Sequence, residues 1–248
     1  MLRELPRPCD IADIVVALPG GRVPTLVSRL AALATVAGPL VLLGAPAPAP
    51  AAGVPTCFGR APTIVAAPGE EAVGTDGDDV IVGGSDVYGG NGDDRLCGFT
   101  GKAHGQAGED RIEVVAGASG QGGPGDDLFV TRSAPGSAPA HVYGKAGADV
   151  VRGGPGRDFV FTGVGGDTVH GGAGRDSIHL NWGENVAHGG RGADGIIGHV
   201  KDDRLYGGRG DDTLYGGGNV DDHDLGDGGR GRDTCGEIER ETSCEVAG

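Results

Sequence analysis

The sequence predicts an all-β repeat protein, in which short strands are joined by glycine-rich turns at a period of nine. Three observations carry this. Gly supplies 53 of 248 residues, about three times the usual share of ~7%, and much of it stands beside Asp. Gly, Asp and one large apolar residue recur at fixed places in a nine-residue frame. Aromatics are only 4% of the chain, too few for a thick globular core. Composition alone would equally describe Gly-rich disorder, so the period decides.

From Gly144 the frame of nine runs without gaps, with units beginning at Gly144, Gly153, Thr162, Gly171, Leu180, Gly189, Gly198 and Gly207. Gly153 to Phe161 reads GGPGRDFVF, Gly171 to His179 reads GGAGRDSIH, and Gly207 to Tyr215 reads GGRGDDTLY. Further units begin at Gly74, Gly89, Gly105, Gly122 and Gly228. The shared pattern is G-G-x-G-x-D-x-U-x, with U a large apolar residue. Gly at positions one, two and four allows positive φ and close backbone approach. Asp at position six offers an oxygen ligand for a cation. The last three residues run extended, with the middle one apolar, which is strand alternation. The inward set is then Ile81, Leu96, Ile112, Phe129, Val151, Val160, Val169, Ile178, Ala187, Ile196, Leu205 and Leu214. A disordered linker has no reason to keep that register.

Ahead of the repeats, Arg22 and Arg29 precede an apolar run from Leu30 to Gly44, followed by the small-residue stretch Ala45 to Ala52. This reads as an export signal, with Ala49-Pro50-Ala51 at the cleavage site. The run is short for a bilayer span, and nothing later is apolar enough to cross a membrane, so no stable membrane insertion is expected. Residues 1–52 are therefore taken as a secretory signal region, 53–73 as an N-terminal cap, 74–235 as the repeat domain and 236–248 as a C-terminal cap. Of five cysteines, Cys9 lies in the signal region. Cys57, Cys97, Cys235 and Cys244 remain, an even number suited to disulfides outside the cell. No C-x-x-C pair suggests zinc.

The net charge is −15, from 35 acidic and 20 basic residues. This argues against a nucleic-acid partner, which needs basic patches, and favours cations. No H-E-x-x-H, G-x-S-x-G or P-loop motif is present, and no paired acid/base site is readable. The expectation is a non-enzymatic protein with an unidentified protein or cell-surface partner.

With these units on the page, the chain resembles the hemolysin-type calcium-binding repeats, also called RTX repeats, over roughly Gly74 to Cys235. Its ends, Cys-Phe-Gly-Arg from Cys57 and Asp-Thr-Cys…Ser-Cys-Glu from Asp233, resemble those of small secreted actinobacterial members. The resemblance implies a parallel β-roll, a β-solenoid of 18-residue coils with two facing sheets and turns along both edges. It also implies several calcium ions between stacked turns, held by position-six carboxylates and turn carbonyls, an all-oxygen set suited to a hard cation. Disulfides Cys57–Cys97 and Cys235–Cys244 would clip the ends, although four cysteines allow three connectivities. A hemolysin-like toxin is the alternative the family suggests, but pore formers need apolar or amphipathic segments that the repeats lack.

Clean turns change parity along the chain. They start at 74, 89, 105, 122 and 144, then at 153, 171, 189 and 207. This predicts one ligand set, Asp79, Asp94, Asp110, Asp127 and Asp149, on one edge. A second set, Asp158, Asp176, Asp194 and Asp212, falls on the other. Asp167 and Asp203 keep the carboxylate in poorer turns and rank below them. His170 and His188, one coil apart, suggest a stacked surface pair more than a metal site. Trp182 is expected to cover an irregular turn.

Overall fold

The computed structural model describes residues 55–218 and 222–246. The expected signal region lies outside the described residues. Among the described residues the chain is strand and turn without helix, wound as a β-solenoid. Two parallel sheets of 11 strands each face one another. Consecutive strands alternate between sheets, so each strand pairs with the next strand but one. The first sheet runs from Ile64–Ala66 to Arg240–Thr242, and the second from Ala72–Val73 to Glu245–Val246. Both sheets thus extend past the 74–235 repeat region and take in strands from the two flanking segments.

The nine-residue unit explains this geometry. In strand Thr168–Ala173 alternate residues are buried, Val169 inward and His170 outward. The alternation continues into Gly171, position one of the next unit, which is buried too. Every position-eight residue in the predicted inward set is 0–1% exposed. Each fully buried Val, Ile, Leu or Phe contributes roughly 1.5–3 kcal/mol, and the stack repeats this every half-coil. The degenerate half-coils supply their share through residues the frame does not predict. Val87, Ala103 and Val142 line the second sheet opposite, with Phe99, Val114 and Leu180 elsewhere in the same core. Gly120 is matched to its neighbours: an added Cβ would press on Val114 and Ile112, in the layer that also holds Phe129.

Coil length varies where the frame is broken. Equivalent residues lie 15, 16, 17 and 22 apart in the first half, 18 apart in the regular stretch, and 21 apart near the C-terminal end. The 22-residue coil absorbs its surplus in a loop near Ala134 and Ser137, closed by the Ser137 hydroxyl on Ala134. Short coils are tolerated because only strand and turn positions must stay in register.

Two disulfides sit near the ends. Cys57 bonds to Cys97 and Cys235 to Cys244, each with Cα atoms 5.7 Å apart. Cys57 and Cys97 form a small second apolar cluster with Val80, Val82 and Phe58. This cluster uses the strand residues flanking Ile81, on the outer side of the first sheet. It staples the incoming segment to the first coils. Every solenoid leaves its terminal coils unpaired on one side, and covering them limits edge-to-edge aggregation.

Candidate metal centre

Each position-six Asp enters its strand from a turn and is held by the coil that follows it. On the first edge the backbone N–H of Asp79 donates to Asp94 Oδ1 at 2.8 Å. The same bond repeats from Asp94 to Asp110, Asp110 to Asp127, Asp127 to Asp149 and Asp149 to Asp167. It continues through Asn185, Asp203 and Asp224 to Glu239. On the second edge the ladder runs Asp158, Asp176, Asp194, Asp212 and Asp233. The two groups of carboxylates selected from the sequence therefore fall on opposite edges.

The parity picture needs one correction. The first edge does not end near residue 150: Asp167, Asp203 and Asp224 continue it, each about 1% exposed. The second edge begins only at Asp158, because its register position in the preceding coil is occupied by Ala140. One row is therefore nearly full length, interrupted by Asn185, and the other covers the C-terminal half. Asp167 and Asp203, ranked low from their turns, stand in the same surroundings as the rest. The Asp203 turn survives loss of glycine because His199 and Lys201 adopt the required backbone, with φ of 84° and 88°, as Asn181 does at 68° in the Asn185 turn. The Asp167 turn keeps Gly163 and Gly165 at positive φ and departs from the pattern at position one, where Thr162 stands. Asp224 went unnoticed because its coil carries three extra residues. Asp233 was readable at position six of the unit starting at Gly228.

Only one carboxylate oxygen of each rung is used by the protein. Among the described residues the Oδ2 atoms of Asp94, Asp110, Asp127, Asp149, Asp167, Asp203 and Asp224 on the first edge are buried without a hydrogen-bond donor. So are those of Asp176, Asp194, Asp212 and Asp233 on the second. A buried, unpaired carboxylate oxygen is costly, and a regular row of them offers oxygen ligands that a cation would satisfy. Backbone carbonyls share the space. A Cβ on Gly89 would collide with Asp94 Oδ2 and crowd the Gly105 carbonyl, and one on Gly105 would meet Asp110 Oδ2 and the Gly122 carbonyl. The position-one glycine thus leaves room around the carboxylate, with Thr162 and Leu180 standing there in the units of Asp167 and Asn185, while positive φ belongs to positions two and four. No three His, Cys, Asp or Glu side chains converge among the described residues. An ion here would take carboxylates from successive rungs and complete its shell from backbone oxygens, the donor set of a hard cation.

The first rung of each ladder differs. Asp79 Oδ1 accepts from the Thr63 hydroxyl, and Oδ2 from the Thr75 N–H and hydroxyl at 2.7 and 2.9 Å. Asp158 accepts from the hydroxyls of Thr131 and Ser133, both at 2.6 Å, and from the Gly154 N–H. These two carboxylates, placed among the ligands by sequence, are satisfied by the protein itself and terminate their rows.

Titration follows the same division. Burial pushes the Asp127 and Asp176 carboxyls up to about 8, with repulsion from neighbouring rungs adding to it against a backbone hydrogen bond. Burial likewise raises Asp94, Asp149 and Asp203 to about 7, and Asp110, Asp212 and Asp224 to about 6. Asp79 moves the other way: burial would raise it, but the Thr75 and Thr63 donors outweigh that and hold it below the usual value. On the outer faces His170 and His188 stack at 4.9 Å, and His188 stacks on Tyr206 at 4.5 Å. These rings form a surface ladder. Trp182 is 61% exposed and bridges to Val200 through its backbone.

Comparison with known families gives one match. The RTX calcium-binding nonapeptide repeat is matched in four overlapping copies, at residues 141–169, 161–196, 188–222 and 197–235. No curated protein matches the chain.

Proposed function

We propose that this chain, whose residues 141–235 belong to the RTX calcium-binding nonapeptide repeats, is a secreted, non-catalytic module that folds around calcium. The observation that carries the reading is the pair of rows of buried Asp Oδ2 atoms without donors. Calcium, when bound, supplies positive charge that neutralises these carboxylates. The residues that would hold it are Asp94, Asp110, Asp127 and Asp149, continuing through Asp167, Asp203 and Asp224, on the first edge. Asp176, Asp194, Asp212 and Asp233 would do so on the second. Turn carbonyls complete the set. Asp79 and Asp158 anchor the rows instead.

Without a cation, repulsion along the rows opposes the fold, and the core is thin, with one or two apolar side chains from most half-coils. Binding free energy then becomes folding free energy. A ligand at about 1,000 times its dissociation constant adds about 4.1 kcal/mol per site. This supports an export logic: low calcium inside the cell keeps the chain unfolded, and millimolar calcium outside folds it. Two disulfides at the ends fit an oxidising compartment.

Far-ultraviolet circular dichroism of the chain during calcium titration tests this. Cooperative gain of β signal, reversed by a chelator, is expected. A spectrum indifferent to calcium would remove the reading.

A further inference from the structure

The outward turn positions, three and five, carry exposed charge rows apart from the buried Asp ladders. On the first edge, in the first half, these positions hold Asp76, Asp78, Asp93, Glu109 and Asp126, all exposed, with no cation among them. The row is held in place by the coils themselves. The Asp93 N–H donates to Asp78 Oδ1, the Glu109 N–H to Asp93 Oδ1, and the Ala148 N–H to Asp126 Oδ1, at 2.7–3.0 Å.

The second edge carries the opposite sign in the C-terminal half. Arg157, Arg175, Arg191, Arg209 and Arg230 are exposed at the corresponding positions, with Asp211 as the acid among them. Arg191, Arg209 and Arg230 pair in register on adjacent strands. They line an open groove floored by Gly172, Gly190 and Gly208. Like charges at one register repel. Among the described residues no direct ion pair joins the acidic row to the arginine row. Arg95 on the first sheet feels the charges of Asp78 and Asp93, with Arg60 and Arg111 beside it, but makes no direct pair with them.

The acids Asp78, Asp93, Glu109 and Asp126 at position five and the arginines Arg191, Arg209 and Arg230 at position three each recur once per coil, so the two rows share the parallel-strand separation of about 4.8 Å. We propose that the arginine row of one copy docks on the acidic row of a second copy, edge to edge. Because the rows lie on different edges and different halves, the contact is heterologous. A docked pair keeps one free row of each sign, one on each copy, and association proceeds head-to-tail instead of closing as a two-fold dimer. The net charge of −15 repels copies at long range. At about 0.1 M salt the screening length is ~10 Å, so the repulsion is cut while contact pairs persist. The proposal rests on the folded roll and not on which turns hold calcium.

Sedimentation velocity of the full chain in calcium tests it, with circular dichroism checking the fold of each sample. Mass above the 24.6 kDa monomer is expected at about 0.1 M salt, returning to monomer near 1 M, where screening acts within ~3 Å. The variant Arg191→Glu/Arg209→Glu/Arg230→Glu has two acidic edges, and Asp78→Lys/Asp93→Lys/Glu109→Lys has two basic ones. Each alone should be monomeric, and a one-to-one mixture should associate again. A wild-type monomer at low salt overturns the proposal. So does association that survives 1 M salt, a folded mixture that stays monomeric, or a monomer whose arginine row is occupied by an added acidic polysaccharide. Loss of the β signal itself would instead count against the calcium-folded roll.

Discussion

Replacing Asp127 by Asn should have opposite effects with and without calcium. The structure contains its own precedent: Asn185 occupies a rung between Asp167 and Asp203, its Nδ2 donating to Gly183 O and Asp203 Oδ1 at 3.0 Å. The side chain therefore fits, and only the charge is lost. Asp127 is raised from 3.8 to about 8, by burial first and then by Asp149, Asp110 and Asp126. A folded-state value above the unfolded one contributes stability that is complete below the unfolded value and is lost as pH rises through the folded one. At ~1.36 kcal/mol per unit, the span from 3.8 to pH 7 sets an upper bound of about 4 kcal/mol against the calcium-free fold. Neighbouring rungs share that cost, so about 2–4 kcal/mol should be recovered by Asp127→Asn at pH 7, and nothing near pH 4. The assay is the β signal followed from pH 4 to pH 9 in chelator. Both proteins gain structure on acidification, and the variant should keep it to higher pH. In calcium the order reverses: losing a charged ligand should move the folding midpoint at least tenfold to higher calcium, about 1.4 kcal/mol. A variant that unfolds as readily as wild type in chelator at pH 7, with an unchanged calcium midpoint, would refute the account of the rows.

Two further outcomes follow from the same geometry. Gln106 holds φ of 82° in register with Gly90. A non-glycine residue there costs roughly 1–2 kcal/mol, of which glycine's chain entropy returns up to ~1. Gln106→Gly should therefore raise thermal stability in calcium by about 0.5–1 kcal/mol, and a lower melting temperature would count against the strained-turn explanation. Thr131→Val with Ser133→Ala strips the hydroxyl donors from Asp158. Leaving that buried carboxylate short of donors should cost about 1–3 kcal/mol in urea unfolding. An unchanged midpoint would mean that the row terminus contributes no stability.

Local chemistry left the clearest traces in the sequence. Position eight of each unit is set by strand alternation, so Ile81 through Leu214 could be named as core without coordinates, and all are buried. The position-six carboxylates were legible because a short acid beside glycine recurs at a fixed place. Other features were hidden because they depend on which coil lies next to which. Val87, Ala103 and Val142 enter the core from half-coils with no recognisable frame. Asp224 is displaced by its longer coil. Asp203 looked weak because its turn lacks glycines that His199 and Lys201 replace at positive φ, and Asp167 because Thr162 stands at position one of its unit.

The amino-acid order by itself determined the repeat, its strand register, the inward aliphatic line and the acidic turns, since each follows from neighbours a few residues apart. The stacking of coils decided the rest. It joined the first-edge carboxylates past residue 150 into one nearly continuous row. It gave Asp79 and Asp158 hydroxyl donors from residues 16 and 27 positions away, and left the other carboxylates with one buried oxygen each and no donor. It also placed the carboxylate in the room that the position-one glycines leave. These are contacts between coils, separated by 15 to 27 residues along the chain. A nine-residue frame carries no information about a partner that the winding alone brings alongside.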